Sequence, residues 1–187
     1  MRIKDKEFKT FISRQELEGI VERVAAEVNR DYAGRQLLVC PVLTGACIFA
    51  ADLLRRLTVE CEVSFVRYTS YSGMSSTGSV VCGLPFPVEA RGREVLIVED
   101  VVDSGLSMAR MRQELLALDP QSMRICTLFF KPRAFKGDYR VDYVGREIGN
   151  EFIVGYGMDY DGLGRGLAEV MVHCGDAKDE QAKTEAV

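Results

Sequence analysis

Four successive apolar residues, Val95, Leu96, Ile97 and Val98, mark a strand covered on both faces. The run 108–118 then carries apolar positions at helical spacing and reads as the helix that follows. Two further continuous apolar runs, 37–43 and 124–130, have strand length, and 46–57 reads as a helix entered through the turn Thr44-Gly45. Segment 61–68 alternates as a strand does. Nearer the N-terminus, Leu17, Ile20, Val21, Val24 and Val28 recur at helical spacing; Ser13 and Glu16 form a capping box ahead of them, and 29–34 breaks the pattern. Strands alternating with helices predict an α/β fold, a mostly parallel central sheet flanked by helices on both faces.

Nothing in the pattern suggests a linker, an internal repeat or a second domain, so residues 1–187 are expected to form one domain, with the polar stretch 175–187 as a frayed tail. A chain of 187 residues buries roughly 70% of its unfolded surface without needing disulfides or a structural metal. Hydrophobic residues make up 47%, yet no apolar stretch approaches the roughly 20 residues of a membrane helix. The opening residues lack the apolar core of a signal peptide, which predicts a cytoplasmic protein with no membrane partner. Six cysteines include no Cys-x-x-Cys pair and mostly sit in apolar runs, so buried reduced thiols are expected. The net charge of −4 offers no general attraction to nucleic acid. A polyanionic substrate must then be met locally, by loops and metal.

The chemistry concentrates where the 95–98 strand ends. Ser104, Gly105 and Ser107 are small and hydroxyl-bearing, and lead into a helix whose N–H groups suit a monophosphate. Glu99 and Asp100 offer acceptors to a vicinal diol, or to a magnesium ion sharing it. Asp103 stands one step further on, placed to move a proton. The segment lacks both the Gly-Lys-Ser/Thr ending of a Walker loop and the Gly-x-Gly-x-x-Gly of dinucleotide folds.

With its order Val-Glu-Asp-Val-Val-Asp-Ser-Gly, residues 98–105, this segment resembles the signature of the type I phosphoribosyltransferases, and most of all their hypoxanthine-guanine branch. The resemblance runs from about residue 37 to 172. It implies a small hood over the sheet and a site for phosphoribosyl pyrophosphate (PRPP) made of Glu99, Asp100, Val102, Asp103, Ser104, Gly105, Leu106 and Ser107, with Thr44, Gly45 and Arg165 on the pyrophosphate. Leu43-Thr44-Gly45 resembles the family's pyrophosphate loop, in which a cis peptide is frequent. Many members carry lysine where this chain has Thr44, so a side-chain charge is missing while backbone donation survives. Residues 68–80, rich in Ser, Thr and Gly, resemble the mobile loop that closes over the substrates, with Ser70-Tyr71 as its mark.

The same resemblance gives the base site. Lys131 matches the lysine that donates to a 6-oxo group, and a donor-only ammonium argues against adenine. Phe152 would stack on the purine, and the Ile153 backbone would read its edge. Asp159 matches a magnesium-holding position, beside Glu99 and Asp100. Arg133 follows Lys131 sooner than the family's arginine does and receives no role.

The implied activity is magnesium-dependent transfer of 5-phosphoribosyl from PRPP to hypoxanthine or guanine by a homodimer or homotetramer, with Asp103 handling the purine N7 proton. Two alternatives stand beside it: a xanthine-preferring transferase, and a regulatory RNA-binding protein reusing the fold. His173, the one histidine, lies in an apolar strand and is expected to be structural.

Overall fold

A computed structural model describes residues 1–70 and 80–175. Its elements, in chain order, are β1 (Arg2–Ile3), β2 (Lys6–Ile12), α1 (Arg14–Asp31), β3 (Leu37–Leu43), α2 (Cys47–Leu54), β4 (Cys61–Val63), β5 (Val66–Ser70), β6 (Val80–Leu84), a short 3-10 turn (Val88–Ala90), β7 (Glu94–Val102), α3 (Leu106–Leu116), β8 (Ser122–Phe130), β9 (Tyr143–Glu147), β10 (Ile153–Val154) and β11 (Val170–His173).

The main sheet has the order β6-β5-β3-β7-β8-β9, with β4 also pairing β3. Every pairing is parallel except that of β5 with β6. Alternate residues of the central strands feed two cores. Leu37, Val39, Leu96, Val98, Cys126 and Leu128 pack with residues of α1 and α2, while Leu38, Cys40, Val95, Ile97 and Ile125 pack with Met108, Met111 and Leu115 of α3. Burial on both faces is why these strands read as unbroken apolar runs. The predicted capping box of α1 is present, with Ser13 N–H donating to Glu16 Oε2 at 2.9 Å and Glu16 N–H to Ser13 Oγ at 3.3 Å; such a cap contributes about 1 kcal/mol.

A second, antiparallel sheet of order β1-β2-β11-β10 forms the hood, around a small core of Ile3, Phe8, Val154 and Met171. His173 lies in β11, edge-on to Phe8 with ring centroids 5.8 Å apart.

Several boundaries depart from the sequence pattern. The strand expected over 61–68 is two, β4 and β5, which meet β3 at different heights: Leu37 to Val39 pair with β4, Val42 and Leu43 with β5. Tyr68 ends the expected strand inside β5, but Thr69, Ser70 and Val80 also belong to strands, although the stretch up to 80 was expected to be loop. Antiparallel pairing of Ser70 with Val80 and Thr69 with Val81 supplies their backbone bonds, so no apolar periodicity is needed. α2 is shorter than 46–57, and α3 starts at Leu106 rather than 108 because Gly105 takes the left-handed turn that caps it. All six cysteines are free, but only Cys40 and Cys126 are buried; Cys47, Cys61 and Cys174 are half-buried and Cys82 is exposed. Cys61 and Cys82 stand in β4 and β6 at the margin of the main sheet, Cys174 follows β11 of the hood, and Cys47 opens α2. Among the described residues no helix is long and apolar enough to cross a membrane. The tail beyond 175 lies outside the described residues.

Candidate active site

β3, β7 and β8 are neighbours and run parallel, so the segments after them emerge at one sheet edge. That edge is where an open α/β sheet gathers its ligand-binding loops. It brings together Thr44-Gly45, the turn 103–107 and Lys131.

In the turn 103–107, Gly105 has φ +79°, a region other residues enter at a cost. A Cβ there would also fall 2.5 Å from Phe135 Cε2 and 2.7 Å from the Tyr139 hydroxyl. Apart from a long 3.5 Å contact from Leu106 N–H to Ser104 Oγ, no side chain caps α3. The first N–H groups of an eleven-residue helix are thereby left to an anion. Leu106 is exposed and Ser107 half-buried, whereas the Val102 side chain is in the core. Val102 contributes its carbonyl, which accepts from Lys131 N–H at 3.0 Å.

Lys131 is 9% exposed, and its Nζ donates to Asp103 Oδ2 at 2.9 Å. The candidate base-reading cation and the candidate proton carrier are thus direct partners, with Asp103 the more solvent-accessible of the two.

At the end of β7, Glu99 Oε1 accepts from Asp100 N–H at 3.1 Å and Asp100 Oδ1 accepts from Val101 N–H at 2.8 Å. Burial, reinforced by the neighbouring Asp100 charge, holds the Glu99 carboxyl well above the usual carboxylate range. The two side chains together offer a diol oxygen acceptors at one place.

Gly45 is pressed against this pair: a Cβ on it would stand 1.8 Å from Asp100 Oδ2. The Leu43–Thr44 peptide just before is cis, as the resemblance implied. Thr44 is exposed.

The hood closes on the same loop through a residue that the sequence reading passed over. Gly157 has φ +106°, and a Cβ there would lie 2.0 Å from Gly45 carbonyl oxygen. Its N–H donates to Arg165 carbonyl at 2.9 Å and its carbonyl accepts from Arg165 Nη1 at 2.7 Å. Arg165 Nη2 pairs with Asp159 Oδ1 at 2.6 Å, while Asp159 Oδ2 accepts from Gly162 N–H at 2.6 Å. Tyr156, also overlooked, donates to Asp52 Oδ2 of α2 at 2.5 Å. The visible signal was Gly155-Tyr156-Gly157, two glycines with positive φ around a buried tyrosine.

Phe152 is 38% exposed, so it is not the core residue that an aromatic in an apolar strand suggests. It stands against Phe8 and Tyr160, with centroids 6.1 and 5.6 Å away. Ile153 is buried. Ser70 ends β5, Tyr71 lies outside the described residues, and Arg133 is exposed.

Among the described residues no three His, Cys, Asp or Glu side chains are placed to hold a metal by themselves. Glu99, Asp100 and Asp159 are nevertheless hard oxygen donors, and magnesium is commonly held by one or two carboxylates plus substrate phosphates and water. Such a donor set fits an ion that arrives with a pyrophosphate.

Comparison with known proteins decides the family. Residues 10–161 match the model of the phosphoribosyl transferase domain. The chain belongs to the phosphoribosyltransferases. This phosphoribosyltransferase is 36% identical over 166 residues to the hypoxanthine-guanine phosphoribosyltransferase of Mycobacterium tuberculosis, covering 85% of this chain and 82% of that one. It is 38% identical over 152 residues to the hypoxanthine phosphoribosyltransferase of Salmonella typhimurium, 80% and 85% of the two chains. A crystal structure of a hypoxanthine-guanine phosphoribosyltransferase from Bacillus anthracis superposes with a TM-score of 0.84 at 35% identity, over 89% of this chain and 99% of that one. The α/β fold and hood expected from the sequence are the family's.

Proposed function

We propose that this phosphoribosyltransferase salvages purines, transferring 5-phosphoribosyl from PRPP to N9 of hypoxanthine or guanine and giving IMP or GMP with pyrophosphate. The observation that carries the reading is the buried Lys131 beside Asp103 at the end of the phosphate turn. A donor-only cation there accepts a 6-oxo purine and rejects a 6-amino one. The names of the relatives point the same way.

Each candidate residue then has a task. The backbone of 103–107, with the Ser104 and Ser107 hydroxyls, holds the 5-phosphate. Glu99 and Asp100 hold the ribose hydroxyls while positive charge develops at C1, which is electrostatic and positional catalysis. The bond from C1 to pyrophosphate oxygen breaks as that from N9 to C1 forms. Asp103 takes the proton that the base gives up at N7. Backbone N–H groups at Thr44-Gly45 and the Arg165 guanidinium receive the pyrophosphate, which requires Arg165 to share its charge with Asp159. Phe152 and the Ile153 backbone take the face and edge of the purine. Glu99, Asp100 or Asp159 would hold a magnesium ion, which would supply charge neutralisation for the leaving pyrophosphate. The working protein is read as one domain, cytoplasmic, a homodimer or homotetramer, with neither nucleic acid nor membrane as partner.

The test is incubation of the purified protein with magnesium, PRPP and one base at a time: hypoxanthine, guanine, xanthine, adenine or uracil. IMP or GMP measured by chromatography supports the reading. Xanthosine monophosphate alone moves the specificity, and no nucleotide from any base overturns it.

A further inference from the structure

The carbonyl or side chain of each residue from 102 to 105 is held by one segment, 131–139, that lies outside the turn. Lys131 N–H donates to Val102 carbonyl at 3.0 Å, and Lys131 Nζ to Asp103 at 2.9 Å. Lys136 N–H donates to Ser104 carbonyl at 3.0 Å and the Tyr139 hydroxyl to Gly105 carbonyl at 2.7 Å. The segment is itself folded back tightly, since Ala134 and Phe135 N–H both donate to Lys131 carbonyl at 3.1 Å. Its aromatic side chains fill the space beneath. Phe135 is edge-on to Phe130 and to Tyr139, each at 5.1 Å, and Arg112 of α3 stands 4.5 Å over the Tyr139 ring. Gly137 makes room for this, because a Cβ there would meet Tyr139 Cε1 at 2.5 Å and Phe135 Cζ at 2.6 Å.

Gly105 is the residue whose conformation aims the first N–H groups of α3. Its carbonyl accepts two bonds, one along the helix from Ala109 N–H at 2.8 Å and one from the side, from the Tyr139 hydroxyl. The second fixes the tilt of the peptide that joins Gly105 to Leu106, and so the direction of the Leu106 N–H. A donor in that place matters more for anion binding than for the fold, because α3 is anchored independently by Met108, Met111 and Leu115. Burial pushes the Tyr139 hydroxyl up to about 12, so it remains a donor through the working pH range.

We infer that Tyr139 is a positioning residue for the phosphate: through its bond to Gly105 carbonyl, with Phe135 as the wall behind, it sets the cradle that receives the 5-phosphate of PRPP and of the nucleotide product. This rests on the reading of 103–107 as the phosphate site.

The experiment compares wild type with Tyr139→Phe, which keeps the ring and its packing. Calorimetry gives the Kd for IMP, inhibition of the forward reaction gives the affinity for inosine, which lacks only the phosphate, and steady-state kinetics give KM for PRPP and for hypoxanthine. The expected result is a rise of about fivefold in the IMP Kd and the PRPP KM, the worth of one hydrogen bond, with inosine and hypoxanthine unchanged and kcat within about twofold. Phe135→Leu, which withdraws the wall but leaves the hydroxyl, should show the same split to a smaller degree. IMP affinity unchanged in Tyr139→Phe overturns the inference. So does an equal loss for inosine and IMP, which marks a general structural role. Wild type that binds IMP no more tightly than inosine instead overturns the phosphate site itself.

Discussion

Lys131 Nζ donates to Asp103 Oδ2 at 2.9 Å, joining the end of β8 to the phosphate turn after β7. In the proposed function a purine entering between them takes over part of that bond, so that base recognition and proton transfer would share one pair of side chains. Lys131→Met keeps the buried stem and removes the charge. The KM for hypoxanthine and guanine should rise by at least about tenfold, the cost of a hydrogen bond from a charged donor, while KM for PRPP stays within about threefold. Steady-state kinetics with each substrate varied in turn decide it; equal rises in both constants contradict the assignment. Thermal stability should move little, since methionine keeps the buried stem packed and the Asp103 carboxyl left behind is mostly exposed to solvent.

Gly45 has no room for a side chain beside Asp100. In Gly45→Ala either the Asp100 carboxylate or the pyrophosphate loop must move by more than an ångström, and displacement of that size costs on the order of 100-fold in kcat/KM. PRPP kinetics should show the loss, with the far-ultraviolet circular dichroism spectrum unchanged. Gly157→Ala attacks the same loop from the hood side, against Gly45 carbonyl, and adds the strain of its φ of +106°. It should lower both PRPP affinity and stability.

Glu99 ties stability to pH. The unfolded chain loses this proton near the ordinary value of 4.5, while the folded protein keeps it well above that. Between the two the unfolded state binds fewer protons, so stability is fully present below 4.5 and falls as pH rises toward the folded value, by up to about 1.4 kcal/mol per pH unit. Glu99→Gln has no proton to lose. The unfolding free energy of wild type minus that of Glu99→Gln, from urea titrations between pH 4.5 and 8, should therefore decline with pH. A flat or rising difference contradicts the raised Glu99 carboxyl.

Arg165 makes two bonds to different acceptors, Asp159 Oδ1 and Gly157 carbonyl. Arg165→Lys puts one ammonium nitrogen in place of the two fork nitrogens that make these contacts, so their geometry is not reproduced. Its KM for PRPP should rise about tenfold, nearly as far as that of Arg165→Met, with the base KM changed less. Full rescue by lysine contradicts the two-point role.

The features legible in the sequence were those with dense local patterns. Val95 to Val98 lie inside a strand buried on both faces, Ser13 and Glu16 form their capping box, and the residues from Glu99 to Ser107 run without a break from the end of β7 through the turn into α3. The hood hairpin escaped because β2 fully buries only Phe8 and Ile12, with Phe11 half-buried, among Lys, Glu and Thr, and its partners on one side are supplied by β11, distant in sequence. Tyr139 and Gly157 escaped for a related reason. Each acts through one long-range contact, with Gly105 carbonyl and with Gly45 carbonyl, that no periodicity announces. Asp159 and Arg165 were placed by resemblance; their bond to each other is a property of the folded loop.

The central claim is that the purine gives up its proton at Asp103 in this phosphoribosyl transfer site. Its most direct test is the initial rate of IMP formation by wild type and Asp103→Asn at saturating PRPP, hypoxanthine and magnesium, with PRPP binding measured alongside. The account predicts wild-type turnover and a loss of about 100-fold or more in the variant, the usual weight of a positioned acid or base, with PRPP affinity within about threefold. Full turnover by Asp103→Asn would contradict it.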